Sequence, residues 1–202
     1  MRSSPKFLCV VATVAAVSIA AQAYPPGVGI MSDKRSCTGC HASTGPWSDE
    51  TMTIAEILDG DTKTSLRRPN GSFQIDVVRG QTRRVITILG RRADDQLLPP
   101  TRNGWTFVDT AQLSTSSFSK FAPGWDVNLN MACRMVGDTI GAYPGAQVTV
   151  LPMTVRPTDA ARDAELEWQC LLTTGSPVKG RPDTGLVANF LTRQVRLHVL
   201  EK

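Results

Sequence analysis

Gln194-Val195-Arg196-Leu197-His198-Val199-Leu200 sets Val195, Leu197 and Val199 on one face and Arg196 and His198 on the other. Such alternation marks a half-buried strand, because successive side chains of a pleated strand point to opposite sides. Phe73, Ile75 and Val77 alternate in the same way, and residues 84–89 are rich in β-branched side chains. Asp59-Gly60, Pro69-Asn70-Gly71 and Arg79-Gly80 punctuate these runs as turns. Residues 51–58 carry two signals. Thr53 and Glu56 fit a capping box and Ile54, Ile57 and Leu58 a helical face, but the turns that follow favour a strand. Residues 91–103 are polar and Pro-bearing and read as a loop, and 105–108, 127–135, 147–151 and 166–172 continue as short strands. About seven or eight strands without a long helix predict a mainly β chain, an immunoglobulin-like β-sandwich over 51–202. His198 then belongs on the outer face, and Met131, Met135 and Met153 in strand core positions.

Upstream the character differs. Residues 1–23 read as an export signal: Arg2 and Lys6 precede an apolar run over 7–21, and Ala21-Gln22-Ala23 is a small-x-small cleavage site. The run is short for a membrane span, and no later stretch approaches one, so no transmembrane segment is expected after cleavage before Tyr24. The expected location is periplasmic or secreted. The formal net charge of +4 is small, falls further once Arg2 and Lys6 are removed, and includes no basic run, which argues against nucleic acid. Of five cysteines, Cys9 leaves with the signal and Cys37 and Cys40 lie close together. Cys133 and Cys170 remain as a pair, with Trp168 on the face of Cys170. In an oxidising compartment they are expected to form a core disulfide contributing on the order of 3–4 kcal/mol.

Residues 24–50 hold the motif that carries chemistry. Cys37-Thr38-Gly39-Cys40-His41 reads C-x-x-C-H, the attachment pattern of c-type haem. Two intervening residues bring both sulfurs to one side of a turn at the spacing of the porphyrin vinyls, and the next imidazole faces the metal. Cys37 and Cys40 are thus expected to hold one covalent haem c, with His41 as proximal iron ligand. The flanking segment, rich in Gly, Pro and Ser, has no apolar periodicity. Haem would give Pro25, Pro26, Val28, Ile30, Met31, Pro46 and Trp47 an apolar surface to bury against. A thioredoxin-type site wants a βαβ setting, zinc wants a fourth ligand, and a plain short-loop disulfide leaves His41 unexplained.

The pentapeptide is similar to that of the c-type cytochromes. With Tyr24-Pro25 at the expected mature N-terminus, the motif soon after and a β-rich body, the arrangement resembles cytochrome f. That resemblance implies the α-amino group of Tyr24 as distal ligand. His198, Met31 and Met52 stand behind it as alternatives. The chain departs from that family in the closeness of Cys37 to Tyr24 and in the absence of a smaller second domain.

The expected function is one-electron transfer with redox partner proteins outside the cytoplasm, more a carrier than an enzyme. Two other readings stay open: a haem enzyme or small-ligand sensor with an open iron position, and a haem-free adhesion or assembly module that self-associates through an edge strand.

Overall fold

In the computed structural model, residues 44–93, 96–112, 121–175 and 186–201 are described. The calls on residues 1–23, Tyr24, Met31, Cys37, Cys40 and His41 lie outside them. Nine strands are seen among the described residues: β1 (Thr53–Asp59), β2 (Phe73–Val78), β3 (Arg83–Arg91), β4 (Arg102–Asp109), β5 (Trp125–Val127), β6 (Met131–Met135), β7 (Gln147–Pro157), β8 (Ala164–Gly175) and β9 (Leu186–Leu200). They form two sheets, ordered β1-β3-β7-β5 and β2-β9-β8-β4-β6. Every neighbouring pair is antiparallel except β2 with β9. The fold is a β-sandwich, as the alternation of its strands requires.

Residues of both inner faces fill the core. Phe73, Ile75 and Val77 from β2, Val195 and Leu197 from β9 and Trp105 and Phe107 from β4 share it with Ile57 from β1, Val85 and Leu89 from β3 and Met153 and Val155 from β7. Trp168 stacks on Phe107 with ring centroids 5.5 Å apart and takes Phe73 edge-on at 5.8 Å. The outer face of the first sheet carries a second, smaller cluster: Ile54, Leu58, Ile88 and Val148 lie under Ile140 and Tyr143 of the β6–β7 connection.

The two sides of the sandwich are closed differently. Residues 64–68 hydrogen-bond to β1 through Leu66 N to Ile57 O (2.9 Å) and to β2 through Gln74 N to Leu66 O (3.1 Å), stitching one sheet to the other. On the opposite side, the expected single strand over 127–135 is broken. β5 pairs with β7 of the first sheet and β6 with β4 of the second, so the chain changes sheets between them. Residues 51–58 resolve into a 3₁₀ turn, Glu50–Met52, capped by the Asp49 carboxylate on Thr51 N, and then β1. β7 continues through Pro152, which pairs with Ile86 where no β5 residue lies on its other side, so its missing N–H costs no ladder bond.

The register corrects the disulfide. Cys133 on β6 is opposite Gly104 of β4, whereas Cys170 on β8 is opposite Trp105. Directly paired residues share a face, and consecutive residues do not. The two cysteines therefore lie on opposite faces of the sheet with β4 between them. Their α-carbons are roughly 9.5 Å apart or more on strand spacing alone, beyond the span of about 7 Å that a disulfide bridges. Cys133 is exposed and Cys170 buried, and neither is in a disulfide. Trp168 and Cys170 do share the core face, both fully buried. Met153 takes the expected core position, but Met131 and Met135 point outward, 45% and 56% exposed.

Candidate functional site

β2 pairs with β9 only from Val195 onward, so the first half of β9 has no strand on that side among the described residues. Residues 45–47 occupy part of this edge. Gly45 N donates to Ala188 O at 2.7 Å and Trp47 N to Asn189 Oδ1 at 2.8 Å. The Trp47 indole N–H reaches Leu98 O at 2.9 Å, and its ring enters the main core, 3% exposed. Gly45 is needed for the close approach: a Cβ there would sit 2.3 Å from Asn189 Oδ1 and 2.7 Å from the Ala188 carbonyl carbon. Residues 45–47, beginning four positions after His41, are thus fixed to β9.

Trp47 was expected to line a cofactor. Its ring lies in the main core, and its two hydrogen bonds fix residues 45–47 to β9 and to the loop at Leu98. Beside it, apolar surface does stand open. Leu98, whose carbonyl receives the indole N–H, is 87% exposed, and Val187, next to the acceptor of Gly45, is 37% exposed. Neither was singled out in the sequence. Val187 lies upstream of the alternating heptapeptide, and Leu98 sits in an apparently featureless polar loop.

Of the distal ligand alternatives, His198 lies on the outer face, as expected, but at the far end of β9. It is ten positions from Ala188, about 33 Å of strand, while the four-position span from His41 to Gly45 reaches at most about 14 Å. Its Nδ1 is held 2.8 Å from Asp163 Oδ2. The same carboxylate accepts from Val199 N at 2.9 Å and Arg196 Nη2 at 3.0 Å. Led by the Val199 N–H, with His198 and Arg196 adding, these partners hold the Asp163 carboxyl down at about 2. His198 therefore has a surface partner remote from the leader's anchor. Met52, half-buried at the end of the 3₁₀ turn, lies between Trp47 and β1, and its carbonyl accepts from Arg92 N at 2.9 Å.

A wide cavity of about 820 Å³ opens on the outer side of the second sheet, with Arg67, Arg68, Arg193 and Arg196 in its wall. Its positive charge is largely answered: Arg67 pairs with Glu56, Arg193 with Glu50 and Arg196 with Asp163, while Arg68 meets Gln74. Among the described residues no three His, Cys, Asp or Glu side chains are grouped to hold a metal, and no helix is long and apolar enough to cross a membrane.

No protein-family model and no curated protein matches the chain. Among solved structures it is similar to the ASH/PapD-like domain 7 of human CEP192, at 13% identity over 85% of this chain and 98% of that one, with a TM-score of 0.35. It is also similar to the N-terminal domain of PorA, at 12% identity over 72% of this chain and 97% of that one, with a TM-score of 0.29. The overlap is loose and bears on no activity; the two-sheet sandwich stands on its strand pairing.

Proposed function

We propose that the chain is an exported monohaem c-type cytochrome that passes single electrons between partner proteins outside the cytoplasm. The observation that carries the reading is the pentapeptide Cys37-Thr38-Gly39-Cys40-His41, followed at once by the Gly45–Trp47 anchor on β9. A tethered group needs a fixed point of attachment and apolar surface to lie against. The anchor supplies the first, and the exposed Leu98 and Val187 beside it offer the second. The residues fit the group on both counts.

Cys37 and Cys40 would hold the porphyrin through thioethers and His41 the iron, and the group, when bound, supplies reversible one-electron exchange. The remaining contributions belong to the chain. Trp47 and Gly45 restrict how far the attachment segment can swing. The Tyr24 amine, Met31 and Met52 are the distal ligands compatible with that tether, and His198 is set aside by its distance and by Asp163. The test is the visible spectrum, in both oxidation states, of the mature protein made in an exporting host with c-type haem maturation. A c-type α-band in the reduced form, on colour that resists acid–acetone extraction, is expected. A colourless protein in which Cys37 and Cys40 are joined as a disulfide refutes the reading and leaves a binding module.

A further inference from the structure

Between Asn189, where residues 45–47 are held, and Val195, where β2 begins, β9 has a gap along its edge. In an antiparallel pair, successive residues turn their main-chain groups alternately toward the partner strand and away from it. Ala188 turns its carbonyl to Gly45, away from β8, and Phe190 and Thr192 are in the same phase. Arg193 Nη1 donates to Thr192 O at 2.8 Å. The N–H and C=O of Phe190 and the N–H of Thr192 have no hydrogen-bond partner among the described residues. The same stretch borders the cavity of about 820 Å³, which Thr192, Arg193, Gln194 and Arg196 line on one side and the turn at 67–72 on the other. Four arginines line it against one carboxylate, Glu165. Arg68 meets only the neutral Gln74 Oε1 among the described residues. The Arg196–Asp163 pair is open to water, with side-chain exposures of 48% and 43%, and such a pair yields readily to a competing carboxylate.

From the open edge and the arginine-lined wall together we infer a docking site for an extended acidic segment of a partner protein, added as a short strand beside Phe190 to Gln194. Its main chain bonds to Phe190 and Thr192, which supplies affinity without regard to sequence. Its side chains alternate between the two faces of the sheet. Val195 and Leu197 face the core, so Thr192, Gln194 and Arg196 share the outer face. Side chains of the added strand on that face meet Arg196 and, across the cavity, Arg68. Carboxylates at every second position therefore suit it, through charge-assisted bonds to guanidinium. Residues 45–47 and β2 limit the added strand to about five residues, or roughly 16 Å. A small inorganic anion would satisfy the arginines but leave the main-chain groups of Phe190 and Thr192 open.

The test titrates the full mature chain with an end-capped heptapeptide of alternating threonine and glutamate, by calorimetry and by amide hydrogen exchange. The controls are the same peptide with glutamine for glutamate and the double variant Arg68→Gln/Arg196→Gln. Both arginines are exposed, and circular dichroism verifies that the variant is folded. The glutamate peptide is expected to bind wild type at least about tenfold more tightly than either control pair binds. In the wild-type complex the amides of Phe190 and Thr192 should exchange more slowly, while that of Leu191, whose main chain pairs with β8, should not change. No binding of the glutamate peptide at millimolar concentration overturns the proposal. Equal affinity for the two peptides, or for wild type and the double variant, overturns the acidic preference. Binding without slower exchange at Phe190 and Thr192 overturns strand addition, since the arginines alone would then account for it.

Discussion

Replacing Trp47 with alanine tests whether the N-terminal segment is part of the sandwich. The ring is 3% exposed and packed in the main core, and its N–H donates to Leu98 O at 2.9 Å. Removing a buried Trp or Phe side chain in this way costs about 3–5 kcal/mol, part transfer energy and part cavity. Leu98 O lies at the surface, where water can replace the indole, so the lost hydrogen bond adds little. With an m-value of about 2 kcal/mol/M, the urea midpoint should fall by roughly 2 M. Trp47→Phe retains most of the buried ring and should lose only about 1 kcal/mol. Hydrogen exchange supplies the second readout: the Gly45 amide, now bonded to Ala188 O, should exchange much faster in Trp47→Ala than in Trp47→Phe. A loss below about 1 kcal/mol in Trp47→Ala, or unchanged Gly45 protection, would refute the anchor and with it the tether argued for the haem segment.

Other outcomes follow from the same geometry. Alkylation of the native protein should modify Cys133 and spare Cys170 until unfolding, and a non-reducing digest should contain no Cys133–Cys170 linked peptide. Gly45→Ala should cost about 1–3 kcal/mol, because its Cβ meets backbone that a rotamer change cannot clear; thermal melting measures it. Asp163, held at about 2 against 3.8, adds stability that is complete above pH 4 and is lost as pH falls through 2. The half-exposed carboxylate is worth about 1 kcal/mol or less after solvent screening. Asp163→Asn should remove that much at pH 6 and progressively less as pH falls through 2.

The strands were legible where one face is wet. Phe73, Ile75 and Val77, and Val195 and Leu197, alternate because one sheet face meets the core and the other the solvent. The extent of β9 was not, because at Leu191 to Arg193 the pattern loses contrast: Leu191 is buried, and Thr192 and Arg193 are both half-covered. Composition could not reveal that β5 and β6 belong to different sheets, since both are short and one polar link joins them. The cysteine error has the same root. Counting thiols pairs Cys133 with Cys170, but the face on which each lies depends on register, and an odd offset across β4 sends them to opposite sides. On the site, the motif was plain, whereas its anchor depends on Asn189 and Ala188, some 140 residues away, a contact that local pattern cannot foresee.

The pairing of residues 45–47 with β9 also imposes an order of events. The acceptors at Ala188 and Asn189 belong to the last strand of the chain, and β9 is itself laid down between β8 and β2. A chain synthesised N-terminus first presents residues 45–47 well ahead of the edge that holds them. Contacts this distant in sequence close late. Residues 45–47 therefore join the sandwich only once β9 is in place, whereas pairings closer in sequence, such as β8 with β9, can form before them.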